Sequence, residues 1–184
     1  MIIWRFGKVL AFFSFLLLLP SCEEKIKPSI LATVDSRSLP QQESWNSTIT
    51  VSDSGKIRAI IRAGNLRIYD STQQTELRNG VYVRFFGETG QETSHLTSDE
   101  GTVDENTNDL EAIKNVLVVS SDSSHLRSEH LFWSDKRQLI FTPDFVSITT
   151  PKEKLQGHGF ESDQNLKHYR IFQVSGKAQS QWNQ

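Results

Sequence analysis

Apolar positions between Glu92 and Thr150 recur at an offset of thirty residues. Leu96, Val103, Leu110, Val116 and Val118 return as Leu126, Trp133, Ile140, Val146 and Ile148, and the run Glu92-Thr-Ser-His-Leu-Thr-Ser-Asp99 returns as Asp122-Ser-Ser-His-Leu-Arg-Ser-Glu129. A repeat of this period marks an architecture built by iterating one supersecondary unit. The anchors Leu96, Val103, Leu110 and Val116 are too sparse for the i, i+3, i+4, i+7 face of a helix. Between them the sequence alternates: Leu110, Ala112, Val116 and Val118 share one parity, as do Val146 and Ile148 in the second copy, which places them on one face of a strand. Turn-forming residues fill the intervals at 106–109, 122–124, 134–137 and Pro143-Asp144. Each period therefore reads as short antiparallel strands joined by tight turns, units that bury their apolar faces by stacking on neighbours.

The rest of the body follows the same rule. Thr48 to Val51 alternates and stops at the turn signal Asp53-Ser54-Gly55, and Ile57 to Ala63 puts Ile57, Ala59, Ile61 and Ala63 on one face. After Gly64-Asn65 come Leu66 to Tyr69 and a turn, then Asn79-Gly80 leads into Val81 to Phe86 and a further turn closes at Gly90. These segments read as a diverged earlier copy in which Tyr69 to Val81 stands for Val103 to Val116. Gly157-His-Gly159 suggests a bulge or close strand approach. Tyr169 to Val174 is the last strand, and residues 177–184 form a polar tail. No segment has helical periodicity, and short strands with turns every eight to twelve residues predict an all-β sandwich, jelly roll or barrel.

The first residues lie outside this pattern. Arg5 and Lys8 precede an apolar run from Val9 to Leu19, short for a membrane span of about 20 residues but suited to a secretory signal over residues 1–21. The run ends in Leu19-Pro20-Ser21-Cys22, which resembles a bacterial lipobox. Cys22 is the sole cysteine, so it makes no internal disulfide and stands where a lipid would be attached. Residues 22–47, polar and proline-bearing, read as a lipid-anchored linker. Processing removes two cations and no acid, so the formal charge moves from −2 to −4. A mildly acidic domain argues against nucleic acid as a partner.

The sequence holds no Gly-x-Ser-x-Gly elbow, no phosphate loop and no free cysteine nucleophile, so no catalytic residue is assigned. His95 and His125 fall at equivalent places of the repeat, where His130 or His158 could complete a metal site. No carboxylate or second histidine has ligand spacing on the same strand, so the Ser-His-Leu motif reads as structural and no metal or cofactor is expected. That leaves the apolar interior. Parity makes Ile61, Val83, Phe85, Val103, Val116, Val118, Trp133, Val146 and Ile148 inward-facing. The pattern fits both a closed core and an open trough that shelters acyl chains.

Taken together, Ser54-Gly-Lys-Ile-Arg58, Val81-Tyr-Val-Arg-Phe-Phe86, Leu96-Thr-Ser-Asp-Glu-Gly101, Ala112-Ile-Lys-Asn-Val116, Leu126-Arg-Ser-Glu-His-Leu-Phe-Trp-Ser-Asp135, Phe145-Val-Ser-Ile-Thr149 and Gly157-His-Gly-Phe-Glu-Ser-Asp163 resemble the LptC family of lipopolysaccharide export, over roughly Thr48 to Gly176. The resemblance implies an elongated, twisted, open β-jelly roll over residues 48–176, on the periplasmic side of the inner membrane. Such a domain, which is not an enzyme, takes lipopolysaccharide from an inner-membrane ABC transporter into an apolar groove lined by the nine residues above. It passes the lipid to a bridge protein of similar fold. The transporter subunits would dock at the N-terminal sheet edge, near Thr48 to Ala63, and the bridge protein at the C-terminal edge, near Tyr169 to Gly176, by strand addition. Members of the family often keep an uncleaved transmembrane helix where this chain carries Cys22. The rival expectation is a lipid-anchored β-domain with a structural role or another apolar ligand.

Overall fold

The protein is described by a computed structural model covering residues 39–179. The signal segment, Cys22 and most of the linker lie outside the described residues. Alternation of apolar and polar positions yields ten strands and no helix among those residues: β1 (Gln42–Asp53), β2 (Lys56–Tyr69), β3 (Gln74–Phe86), β4 (Glu92–Ser98), β5 (Glu100–Asp104), β6 (Leu110–Ser120), β7 (His125–Ser134), β8 (Leu139–Thr149), β9 (Glu153–Asp163) and β10 (Tyr169–Gln179). They form one antiparallel sheet in the order β1-β2-β3-β4-β6-β7-β8-β9-β10, with β5 prolonging β4 between β3 and β6. The expected domain limits shift outward at both ends. β1 starts at Gln42, inside the stretch read as linker, and β10 runs to Gln179, inside the stretch read as tail.

The strands are longer than the sequence suggests because several residues read as punctuation bend a strand instead of ending it. Gly64-Asn65 lies within β2, Asn79-Gly80 within β3, Pro143-Asp144 within β8 and Gly157-His-Gly159 within β9. Register shifts fall beside each of them, and at Lys114-Asn115 within β6. Asn79, Gly80, Lys114, Asn115 and Gly159 take positive φ, a region open to glycine, tolerated by asparagine and unfavourable for lysine. These bends line up. The Gly80 amide donates to the Asp99 carbonyl at 3.0 Å, the Asp99 amide donates to the Lys114 carbonyl at 3.1 Å, and the Ser128 hydroxyl donates to the Phe145 carbonyl at 3.0 Å. A seam of bulges thus crosses the sheet and folds it over on itself.

The two halves pack face to face. β3 and β7 are separated in the sheet by β4 and β6, which in a flat sheet would hold them on the order of 14 Å apart. Yet the rings of Phe85 and Trp133 meet at 5.2 Å. Contact at that distance is across the fold line, between the half of β3 beyond the seam and the opposite half of β7. The apolar face of each half is buried against the other, giving one core and the double-layered arrangement of a jelly roll.

Registers show that the unit is repeated four times. Leu96, Val103, Leu110 and Val118 of β4–β6 correspond to Leu126, Trp133, Ile140 and Ile148 of β7–β8. Ile61, Ile68, Thr75 and Val83 hold the same places in β2–β3, and Leu155, Ser162 and Tyr169 in β9–β10. The earlier copy is therefore anchored by Ile68, which faces Thr75 as Val103 faces Leu110, and not by Tyr69.

Candidate functional site

The interior is assembled one row at a time by the repeat. Val83, Leu96, Val118, Leu126 and Ile148 stand side by side across β3, β4, β6, β7 and β8. In the other layer Val103, Leu110, Trp133 and Ile140 form a parallel row across β5 to β8. Ile61, Phe85, Val116 and Val146 complete the inward set. All nine residues singled out from parity are buried, none more than 5% exposed, and all belong to one cluster. The structure brings them together as touching layers. Among the described residues no Asp, Glu, Lys, Arg or His is buried. The buried polar residues sit in turns or near strand ends and bends: Asn65, Thr75, Ser94, Ser98, Ser120, Ser124, Ser134, Thr142, Ser162 and Gln164. The indole N–H of Trp133 has no hydrogen-bond partner among the described residues.

Parity did not single out Leu166. It lies in the turn between β9 and β10, is 1% exposed and joins the core cluster. Its only signal in the sequence is a lone apolar residue in a polar turn.

Ion pairs line the outer face. The Arg84 guanidinium donates to Glu92 at 2.7 Å, Arg137 to Glu161 at 2.7 Å, and Arg67 to Glu43 at 2.9 Å. Donation from Asn65 and then Arg67 holds the Glu43 carboxyl below its ordinary value. The histidines share this outer surface and do not converge. His95 and His125 both pair with Val119 of β6, one from each side, so two strand spacings, roughly 9.6 Å, separate them. His95 lies against Tyr82 at 5.7 Å, His130 against Asp144 at 3.3 Å and His158 against Phe145 at 5.3 Å. No cluster able to hold a metal occurs among the described residues. Two open depressions, of about 480 and 710 Å³, flank His158 near the seam.

The sheet has two free margins. Among the described residues β1 pairs only with β2 and β10 only with β9, so within them each offers an unpaired row of backbone amides and carbonyls. Trp45 on β1, and Phe172 and Val174 on β10, are more than half exposed.

The sequence matches the family described as lipopolysaccharide-assembly, LptC-related, over residues 10–178. No curated protein matches it by sequence. Among solved structures it is similar to LptH of Pseudomonas aeruginosa, the LptA-homologous periplasmic component of that organism's lipopolysaccharide transport device. The TM-score is 0.51 with 14% identity over 71% of this chain and 90% of that chain, a likeness that establishes the β-jelly-roll fold alone. A family match spanning nearly the whole jelly roll settles the lineage: the chain belongs to the LptC-related family of lipopolysaccharide assembly, as a periplasmic transport component and not an enzyme.

Proposed function

We propose that this domain carries the acyl chains of lipopolysaccharide between its two layers, receiving the lipid from an inner-membrane ABC transporter at the β1 side and releasing it to a jelly-roll bridge protein at the β10 side. The observation that supports this reading best is that, among the described residues, the interior is uncharged and continuous through all four units and the sheet is open at both margins. Cys22 anchors the chain to the inner membrane, and the residues before β1 tether the domain to it. Several acyl chains on one cysteine hold stably where a single chain would not.

Carriage requires the layers to part. An empty trough lined by Ile61, Val83, Phe85, Val116, Trp133 and Ile148 would expose apolar surface at a cost of about 25 cal/mol per Å², so the ligand-free domain rests closed, with Phe85 on Trp133. An acyl chain entering between the layers covers the same surface again. Opening and filling thus nearly offset one another, and the lipid selects the open state by its affinity for it. The seam of bulges is the natural line of movement, since pairing is already interrupted there. The transporter supplies the drive, and this domain makes and breaks no bond.

Photo-crosslinking tests the proposal. Benzoylphenylalanine at Val116 or Trp133 should capture lipopolysaccharide in cells, and at Arg84, on the outer face, it should not. Equal capture at all three positions would refute an interior route.

A further inference from the structure

Four turns close the hairpins at one end of this sandwich. Those after β2, β5 and β7 present exposed residues to solvent, as hairpin turns do. The fourth, between β9 and β10, turns inward: Gln164 and Leu166 are buried, and Leu166 packs within the core. Leu166 is held at φ 56, a left-handed conformation that a leucine rarely adopts and that persists only where its surroundings impose it. Asp163 imposes it from below, its carbonyl accepting from the Leu166 amide at 3.2 Å and its Oδ1 accepting from the amides of Lys167 and His168. Two latches fix the turn from the sides. The Ser94 hydroxyl donates to the Gln164 carbonyl at 2.5 Å, and the Gln164 amide donates to Gln138 Oε1 at 2.9 Å. Ser94 pairs with Phe85 and Ser120 in the opposite layer, so the turn spans the mouth between the layers.

We propose that residues 164–168 are a movable plug, and that the space filled by the Leu166 side chain is a subsite for one acyl chain of the cargo. This rests on the lipid-carrying reading above and adds where a chain seats and what it displaces. The side chain is a branched alkyl group in an uncharged, apolar setting, so a hydrocarbon tail can replace it without leaving a buried polar group unpaired. The latches are neutral hydrogen bonds whose partners water can satisfy once the turn swings out. Leaving disturbs little, because among the described residues β10 has no neighbour except β9. Relief of the left-handed leucine favours departure. The plug therefore keeps the empty interior covered at this mouth and yields to a lipid tail arriving there.

The purified full chain is titrated with dansylaminoundecanoic acid, a fluorescent acyl probe, in parent, Leu166→Ala and Leu77→Ala forms. Leu77 is an equally buried leucine on β3, so its truncation controls for a cavity made elsewhere. Leu166→Ala should bind the probe about tenfold more tightly than the parent, with no comparable gain for Leu77→Ala. Hydrogen exchange on the parent gives a second readout that needs no variant: saturating probe should accelerate exchange at the amides of residues 166–168. Equal gains in both variants, or turn amides that stay protected while the parent binds probe, overturn the plug and leave the carrier function standing. Binding of neither probe nor lipopolysaccharide by any form overturns both.

Discussion

A methyl group added at Gly157 would stand 2.2 Å from the Gln173 carbonyl oxygen and 2.6 Å from Cγ2 of Ile171. Neither neighbour can yield cheaply, since one is backbone of the adjoining strand and the other packs against the core. Gly157→Ala should therefore destabilise the domain by about 2 kcal/mol or more, in the range of overpacked cores. At Gly176, on the facing strand, the nearest atom is a flexible glutamine oxygen at 3.7 Å, and Gly176→Ala should leave the urea midpoint almost unchanged. Asp135 offers a test of the opposite sign. Burial, and then the carboxylates of Asp53 and Asp109, push its carboxyl above the ordinary value, against hydrogen bonds from Asn108 and Gln138. With the folded value above the unfolded one, its favourable contribution is present in acid and is lost as pH rises through the folded value. Asp135→Asn should raise the thermal midpoint by a few degrees at neutral pH. The gain should shrink as pH falls through the raised folded value and be gone below the usual aspartate range, which melts recorded across pH would show.

At the scale of the strand, alternation was legible and punctuation was not. Parity through Leu110, Ala112, Val116 and Val118 survives the two bulged residues between Ala112 and Val116, because two extra residues restore the phase. In β7 the phase slips, from Leu126 to Leu131 and Trp133, and a pattern of period two cannot announce a slip of one. Gly, Asn and Pro mark places where the backbone leaves ordinary strand geometry, yet the same residues serve a reversal and a bend. That is why Pro143-Asp144 read as a turn and proved to be a kink within β8. Lys114 makes the seam testable. It adopts φ 63 beside Asn115 at φ 52, and its amino group holds only an exposed ion pair with Glu100 at 3.0 Å, which contributes little. Lys114→Gly should be neutral or stabilising, whereas Lys114→Val should cost about 1–2 kcal/mol through the left-handed backbone. Equal denaturation midpoints for the two variants would mean that the bulge is not pinned there.

At the scale of the molecule, the thirty-residue offset disclosed two of the four units because their seams and turns kept the same length. The outer units were obscured where the anchors became Ile68 and Thr75 on one side and Ser162 and Tyr169 on the other. The inward residues were readable for the same reason, but closure of the layers was not, since a stacked core and an open trough demand the same alternation. What the fold adds is direction: four units end in two different margins, and strand addition at β10 can be tested without disturbing the interior. A methyl group on Gly157 would meet the Gln173 carbonyl oxygen, so that carbonyl points toward β9. In an antiparallel ladder the amide of Gln173 points the same way, and those of Phe172 and Val174 face the free side. Val174→Pro thus removes a donor that an added strand would use while sparing the β9 ladder, and prolines are tolerated at such edge positions. Its unfolding free energy from urea titration should stay within about 1 kcal/mol of the parent, while benzoylphenylalanine at Arg170 should lose its high-mass crosslinked partner in cells. Gln173→Pro, which removes an amide directed at β9, should instead unfold the margin and lower the midpoint. If the Arg170 crosslink survives Val174→Pro undiminished, the bridge protein does not extend the sheet through β10.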